Sequence, residues 1–194
     1  MSRFFRAVLI LSLVLAASAS AQGPGTKFGA LTGGATLSDL AGGGITSSSR
    51  WGGTAGLLLG VNTGRTALTI EGMWIQQGGE GAKMDYIEIP LTFGPTQVLA
   101  GGAMRGRFYS GINVGFKVSC SSDVLDCDNA KGSQWGWPIG LQFAKITETG
   151  SFVGVDVRYT VALSDAFDFN GVYNRPWVFR LMFGKALGAP PGHY

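Results

Sequence analysis

Hydrophobic and polar side chains alternate along residues 151–163. Apolar residues occupy the odd positions from 153 to 163, whereas the even positions from 154 to 160 carry Gly154, Asp156, Arg158 and Thr160. A period of two is that of an extended strand, and no helix would divide the residues in this way. The segment is also long enough to cross a hydrocarbon layer when tilted, since a membrane-spanning strand needs about 9 to 11 residues.

The same alternation recurs along the chain and predicts eight strands. Pro90 falls inside the fourth strand, where we expect a bulge or a missing hydrogen bond because proline has no N–H to donate. An even count lets antiparallel strands close with both termini at one end, and eight is the smallest common barrel. The predicted strands are 27–37, 51–61, 66–77, 84–94, 107–119, 134–144, 151–163 and 175–187.

The connections between these strands alternate in character. Those after the odd-numbered strands (39–50, 76–83, 120–133 and 164–174) are polar and rich in Gly, Ser or Asp, while 62–65 and 145–150 are tight. The link 95–105 is the exception. Long loops at one end and short turns at the other are typical of a bacterial outer-membrane barrel. Several aromatic residues lie toward strand ends, either as an interfacial girdle or as core: Trp51, Trp74, Tyr86, Trp135, Trp137, Tyr159 and Trp177.

The N-terminus has the pattern of a secretory signal peptide. Residues 1–6 form a short basic region, 7–15 are apolar except for Ser12, and 16–21 are Ala and Ser. We therefore expect cleavage of 1–21 and a barrel domain over 22–194 with a short tail at 188–194. A retained anchor is the alternative, but the apolar stretch is short for one.

Composition narrows the function classes. The chain has 194 residues, 32 of them Gly, with 14% charged residues and a net charge of +3. Arg3 and Arg6 lie in the predicted signal, which leaves about +1 and no basic patch, so nucleic acid is excluded as a partner. No segment after the signal approaches the ~18 apolar residues of a membrane helix.

The character of the second strand face indicates which side meets lipid. A lipocalin-type soluble barrel would point its apolar face inward and a solvated face, rich in Lys and Glu, outward. Here the second face instead carries small residues such as Gly111, Gly115, Gly136 and Gly140 with few charges. Such residues suit a crowded lumen, so we expect the apolar face to point outward into lipid.

The charged residues on this inner face are three acids and three bases. Charges held away from water must pair or be hydrogen-bonded, so we predict an ion network that braces the wall and plugs the lumen. A polar pathway or binding cavity is the alternative, although an eight-stranded interior has little room beyond side chains. The predicted network is Glu71, Glu88, Lys117, Asp156, Arg158 and Arg180.

Cys120 and Cys127 enclose a short acidic loop. In an exported protein two cysteines most simply form a disulfide. The competing interpretation is a calcium site built from Asp123, Asp126 and Asp128, but their spacing matches no ordered calcium loop. A loop of this kind can contact a partner outside the cell.

Catalytic chemistry has little support. The only histidine, His193, lies in the Pro-rich tail, and the isolated Ser and Asp residues form no catalytic motif. We therefore expect no enzymatic activity, no cofactor and no metal.

Several motifs resemble a known family. They are Phe28-Gly29 with 37–40, the run 86–91 (Tyr-Ile-Glu-Ile-Pro-Leu), the strand 111–115, Arg158-Tyr159 leading to 163–164, and Asn174-Arg175. The chain is similar in these stretches to the small outer-membrane β-barrel domain family that includes PorT-like proteins. The resemblance implies an eight-stranded barrel with Glu88 and Arg158 as inward wall residues, and it implies a location rather than a reaction. The tail after the last strand departs from the family pattern, so either Phe183 or Tyr194 would be the terminal insertion signal.

The sequence thus predicts an all-β protein, an eight-stranded antiparallel up-and-down transmembrane β-barrel. We expect a monomeric, porin-like but non-enzymatic protein of a Gram-negative envelope, exported to the outer membrane. Its partners would be the lipid bilayer and an unknown extracellular or envelope partner contacted through the loops. The alternatives are a narrow transporter or pore, and a soluble exported barrel that binds an apolar ligand.

Overall fold

Eight long strands of the chain pair with their sequence neighbours and close into one antiparallel barrel. The structure is a computed structural model that describes residues 25–100, 103–123, 126–168 and 171–187. The predicted signal peptide, the tail 188–194 and His193 lie outside these ranges. The predicted all-β fold, an eight-stranded antiparallel up-and-down barrel, is confirmed. The part of the chain that is described contains no helix long and apolar enough to cross a membrane.

The strands follow one another around the barrel, and the last closes on the first. Three short strands outside the wall form a separate sheet in the order β10-β2-β3. The wall strands are β1 (Thr26–Ser38), β4 (Arg50–Asn62), β5 (Thr66–Gly79), β6 (Ala82–Leu99), β7 (Met104–Ser122), β8 (Ser133–Ile146), β9 (Ser151–Ala162) and β11 (Trp177–Leu187), and the short ones are β2 (Leu40–Gly42), β3 (Ile45–Thr46) and β10 (Tyr173–Asn174).

The two ends of the barrel differ. One end, here called the loop end, carries the connections 39–49, 80–81, 123–132 and 163–176. The other, the terminal end, carries the first residue of β1, the last residue of β11 and the turns 63–65, 100–103 and 147–150. The link predicted at 95–105 is wrong, because Thr96 to Leu99 pair with Met104 to Arg107 and reduce it to a tight turn. With that correction every connection at the terminal end is short.

Pro90 interrupts the ladder as its missing donor requires. Strands β5 and β6 pair Ile70 with Leu91 and Met73 with Glu88, but the positions between these pairs have no ladder partner. The register is the same on both sides of the gap, so the chain loses hydrogen bonds there without shifting. The register shift of β6 lies elsewhere, between Asp85 and Tyr86 in its pairing with β7.

The apolar face of the strands points outward. Leu31 and Phe93 are 62% and 63% exposed, whereas the alternating Thr32 and Thr92 on the inner face are buried. All five tryptophans lie on this outer face, on the half of the barrel nearer the loop end, where Trp177 contacts Tyr159 with ring centroids 4.9 Å apart. Tyr86 is different: it is fully buried inside the barrel and does not join the outer aromatic girdle.

An apolar cap closes the loop end. Leu40 of β2 and Phe167 and Val172 of the 163–176 loop are fully buried and pack with inward side chains of the wall. From the wall come Met73, Ile75, Ala82, Met84, Tyr86 and Val178. Met73 and Ile75, which weaken the alternation in the sequence, are therefore inner-face residues beneath the cap.

Candidate functional site

Four of the predicted lumen charges meet at the centre of the barrel. Arg158 Nη2 lies 2.7 Å from Glu71 Oε2, and Arg180 Nη2 lies 2.6 Å from Asp156 Oδ2. Arg180 Nη1 also contacts Glu71 Oε1, so the four groups form one continuous chain of alternating charge. Each residue is at most 3% exposed. Strand β5, which carries Glu71, faces β9 across the barrel, so the quartet spans the lumen.

Neutral polar groups occupy the remaining hydrogen-bonding positions of this quartet. Tyr109 Oη donates to Asp156 Oδ1 at 2.8 Å and accepts from Arg158 Nε at 2.9 Å. Thr32 Oγ1 donates to Glu71 Oε1 at 3.0 Å. The tyrosine ring fits because Gly140 faces it without a side chain: a Cβ there would lie 2.3 Å from the ring. The network is charge-balanced and hydrogen-bonded, which is what buried ions require.

Glu88, predicted to join the network, lies in a separate layer nearer the loop end. It accepts hydrogen bonds from the side-chain amides of Gln77 and Gln134, and Gln134 Oε1 in turn accepts from Asn174 Nδ2 at 3.1 Å. Among the residues that the structure describes, Glu88 has no ion-pair partner within 4.0 Å. Amides rather than arginines therefore hold this carboxyl, and Asn174 links the layer to the loop that covers it.

Lys117 does not join the lumen network, contrary to the sequence-based prediction. Its ammonium donates to the backbone carbonyl of Cys127 at 3.3 Å and to that of Ala130. Lys117 pairs with Tyr86 near the loop end, just before the register shift, and its side chain reaches up to the loop instead of across the barrel. It fastens the 126–130 turn to β7.

Arg107 is a lumen arginine that the sequence analysis missed. Its guanidinium donates to Thr69, to Gln142 and to both the hydroxyl and the carbonyl of Thr92, at 3.1 to 3.2 Å. It is 7% exposed and lies on the terminal side of the central quartet. The available signal was its parity: Arg107 shares the inner face with Gly111 and Gly115, which the alternation assigns to the lumen.

The loops above the cap are tied together by polar contacts. Arg175 donates to both carboxylate oxygens of Asp39, at 2.9 and 2.6 Å, and joins the 163–176 loop to the first loop. This hydrogen bond raises the pKa of Arg175 above its usual value. The three short strands β2, β3 and β10 pair in the same region.

The predicted disulfide between Cys120 and Cys127 is present and joins the end of β7 to a 3₁₀ turn at Cys127–Asn129. Asp126 caps this turn, accepting from the backbone N–H of Asp128 at 3.0 Å. No group of three acidic, histidine or cysteine side chains in the described ranges is arranged to hold a metal ion. Asp126 thus acts locally, on the turn itself.

Comparison with known proteins yields structural likeness alone. No protein-family model and no curated protein matches the chain. Among solved structures, the chain is similar to Ail, the attachment invasion locus protein of Yersinia pestis, with 11% identity, a TM-score of 0.45, and coverage of 82% of this chain and 98% of that one. A second structure of Ail, in complex with the heparin analogue sucrose octasulfate, gives 12% identity, a TM-score of 0.46 and the same coverage.

Proposed function

We propose that this chain is an integral outer-membrane β-barrel with a sealed lumen, whose loop end presents a folded surface to a partner outside the cell. It has no enzymatic role in this proposal. The single observation that carries it is the double closure of the barrel. The ion quartet spans the lumen at mid-height, and the apolar cap covers it at the loop end.

The outer face of the wall supports a membrane location. Isolated exposed apolar residues are common on soluble proteins, but a continuous exposed band around a barrel is not. Here the outward positions of all eight wall strands carry exposed Leu, Ile, Val, Phe, Trp or Met. A soluble lipocalin-like barrel would direct that face inward, so this alternative is disfavoured. Membership of the PorT-like family remains part of the proposal. The motif that supports it, 86–91, includes Glu88, which is buried inside the barrel as the resemblance implies.

The build of the loop end supports an interaction role. The loops are held in place by a disulfide, a bidentate ion pair and a small sheet. Loops that only connect strands need no such fixed structure. Ordered loops lose less conformational entropy on binding, which favours recognition. The narrow-pore alternative is disfavoured because its pathway would cross four buried, mutually paired charges.

The charge of the loop end favours a basic rather than a sulfated partner. Its acidic residues outnumber its basic ones, so a polyanion of the kind seen with Ail is not proposed for this chain. The acids are Asp39, Glu80, Asp85, Asp123, Asp126, Asp128, Asp165 and Asp168, and the bases are Arg50, Lys83, Lys117, Lys131 and Arg175.

Lysine labelling on cells tests membrane location and orientation together. A membrane-impermeant amine reagent should modify Lys83 and Lys131 at the loop end of intact cells, and Lys145 and Lys185 at the terminal end only after the outer membrane is opened. The protein should also stay in the membrane after carbonate extraction. Labelling of both ends in intact cells, or release by carbonate, would contradict the proposal.

Conductance tests the sealed lumen. Purified protein in a planar bilayer should produce no discrete channel steps, whereas a sixteen-stranded porin inserted in the same way conducts. Regular steps from this protein would support the pore instead.

A further inference from the structure

We infer that the terminal end of the barrel holds a binding site for a small amphiphile that carries a carboxylate or phosphate head on a short alkyl chain. The site is a cavity of about 90 Å³ inside the wall, on the terminal side of Arg107. Its position at the opposite end from the loops makes it independent of the function proposed above.

Two arginines lie on the polar side of this cavity, which Asn62, Thr96 and Gln142 also line. Arg105 and Arg107 are successive inward residues of β7, and both line the space. Within the described part of the chain, the side chain of Arg105 forms no hydrogen bond or ion pair, and its Nε is buried without a partner. Arg107 is 93% buried, and although its terminal nitrogens are bonded, its Nε is likewise buried and unpaired. Unsatisfied buried donors of this kind call for an acceptor, and cationic ones favour an anion.

No acid among the described residues supplies that acceptor. The residues that line the cavity include no Asp or Glu. The terminal end as a whole is basic in the described ranges: Glu148 is its acidic residue, against Lys27, Arg65, Arg105, Arg107, Lys145 and Lys185. This differs from the central quartet, where each arginine meets a carboxylate, and it leaves the Arg105 guanidinium and the Nε of Arg107 available to a ligand.

The opposite wall of the cavity is apolar. Phe28 and Phe152 meet edge to face with centroids 6.2 Å apart, and Leu58, Met182 and Ala186 complete this side. Arg107 lies at the deep end and Phe152 and Ala186 near the mouth, because β7 runs inward from the turn at 100–103 while β11 ends at Leu187. A ligand would therefore enter head first, with its chain against the phenylalanines.

The volume limits the ligand to a single short chain. One water needs roughly 10 to 15 Å³ of cavity volume. A cavity of about 90 Å³ therefore admits an anionic head and the first few methylenes, and the rest of the chain lies outside the mouth. A chain longer than the cavity would extend toward the membrane leaflet at the terminal end.

Equilibrium dialysis with the membrane-extracted protein in phosphatidylcholine nanodiscs tests the site, with empty nanodiscs measuring partition into lipid. The probes are octanoate, octyl phosphate and inorganic phosphate. Octanoate and octyl phosphate should both bind at one site, and inorganic phosphate at least tenfold more weakly, because it lacks the chain. Equal binding of phosphate and octyl phosphate would overturn the inference that the ligand is an amphiphile. No binding of either octyl compound above empty discs would overturn the site.

Matched arginine variants locate the binding. Arg105→Ala should weaken octanoate binding about tenfold or more, the usual effect of removing a charge-assisted hydrogen bond. It should leave folding intact, because the side chain has no protein partner to lose; a heat-shifted gel band checks this. Arg65→Ala removes the same charge from an exposed turn at the same end and should leave binding unchanged. An equal effect of the two variants would mean attraction to the basic rim rather than a site.

A cavity-filling variant checks the apolar half. Ala186→Phe places a ring in the mouth and should abolish octanoate binding while the gel band shows a folded barrel. Undiminished binding in folded Ala186→Phe would place the ligand elsewhere and contradict the inference.

Discussion

Removing Arg180 should destabilise the barrel far more than removing Arg175, although both arginines pair with an aspartate at 2.6 Å. The side chains of Arg180 and Asp156 are 0% exposed, whereas those of Arg175 and Asp39 are 44% and 22% exposed. The two arginines thus differ in burial, and Arg180 also pairs with a second carboxylate, that of Glu71.

The magnitude follows from what each substitution leaves behind. Arg180→Ala leaves Asp156 with Tyr109 but no ion-pair partner among the described residues, and it gives the quartet a net negative charge in the lumen. Breaking a buried pair in this way costs about 3 to 5 kcal/mol. Arg175→Ala leaves Asp39 near solvent, where an exposed pair contributes about 0 to 1 kcal/mol. The difference of about 3 kcal/mol corresponds to a factor of about 100 or more in the unfolding equilibrium.

Reversible urea unfolding in lipid vesicles measures both variants against the unchanged protein. The assay follows the heat-shifted gel band and tryptophan fluorescence, since all five tryptophans lie on the wall. Adding Asp156→Ala to Arg180→Ala should recover part of the loss, because the stranded charge is then removed. Equal effects of Arg180→Ala and Arg175→Ala, or no recovery in the double variant, would refute the reasoning.

Three further substitutions test other parts of the interior by the same unfolding assay. Gly140→Ala should cost about 1 to 3 kcal/mol by displacing the tyrosine ring it faces, whereas Gly72→Ala, whose Cβ meets nothing within 4 Å, should be neutral; equal costs would contradict the packing. Glu88→Gln should change stability by less than about 1 kcal/mol, because amides rather than cations hold this side chain; a loss like that of Arg180→Ala would mean an unseen ionic role. Replacing Cys120 and Cys127 together by serine should cost about 2 to 3 kcal/mol, because the unfolded chain then gains the freedom of the opened loop; an unchanged unfolding midpoint would mean that the loop unfolds separately from the barrel.

The wall of the barrel could be predicted from alternation because each wall residue obeys a local rule. A strand residue faces in or out according to its parity, so Val155 and Asp156 had to lie on opposite sides wherever the strand was placed. Closure and strand count followed from the spacing of the turns. The link at 95–105 was mispredicted because Pro95 resembles a strand end, although the pairing continues past it to Leu99.

The interior could be predicted only in part, because its contacts depend on the relative heights of the strands. Parity identified Glu71, Asp156, Arg158 and Arg180 as inward residues, but the stagger of the strands decides which of them meet. Glu88 lies one layer away from the quartet for this reason. Lys117 was assigned inward by the same parity and pairs with the inward Tyr86, but it lies near the loop end, where its ammonium reaches the carbonyls of the 126–130 turn instead of the quartet.

The cap and the terminal cavity had no local signal. Leu40, Phe167 and Val172 lie in segments that appear in the sequence as polar loops, and only the closed barrel brings them over one opening. The isolation of Arg105 is likewise a property of the fold, since it depends on the absence of acids from the other strands that line the same space.

Spin-label accessibility along β9 tests most directly the claim that the apolar face meets lipid. Labels placed one at a time from Phe152 to Val161, in a background without the native cysteines, report collisions with oxygen dissolved in lipid and with a water-soluble nickel complex. The account predicts a period of two, with oxygen contact highest at Val153, Val155, Val157 and Val161 and neither reagent reaching Asp156 or Arg158. Oxygen contact highest at Asp156 and Arg158, or nickel contact at all the valine positions, would contradict it.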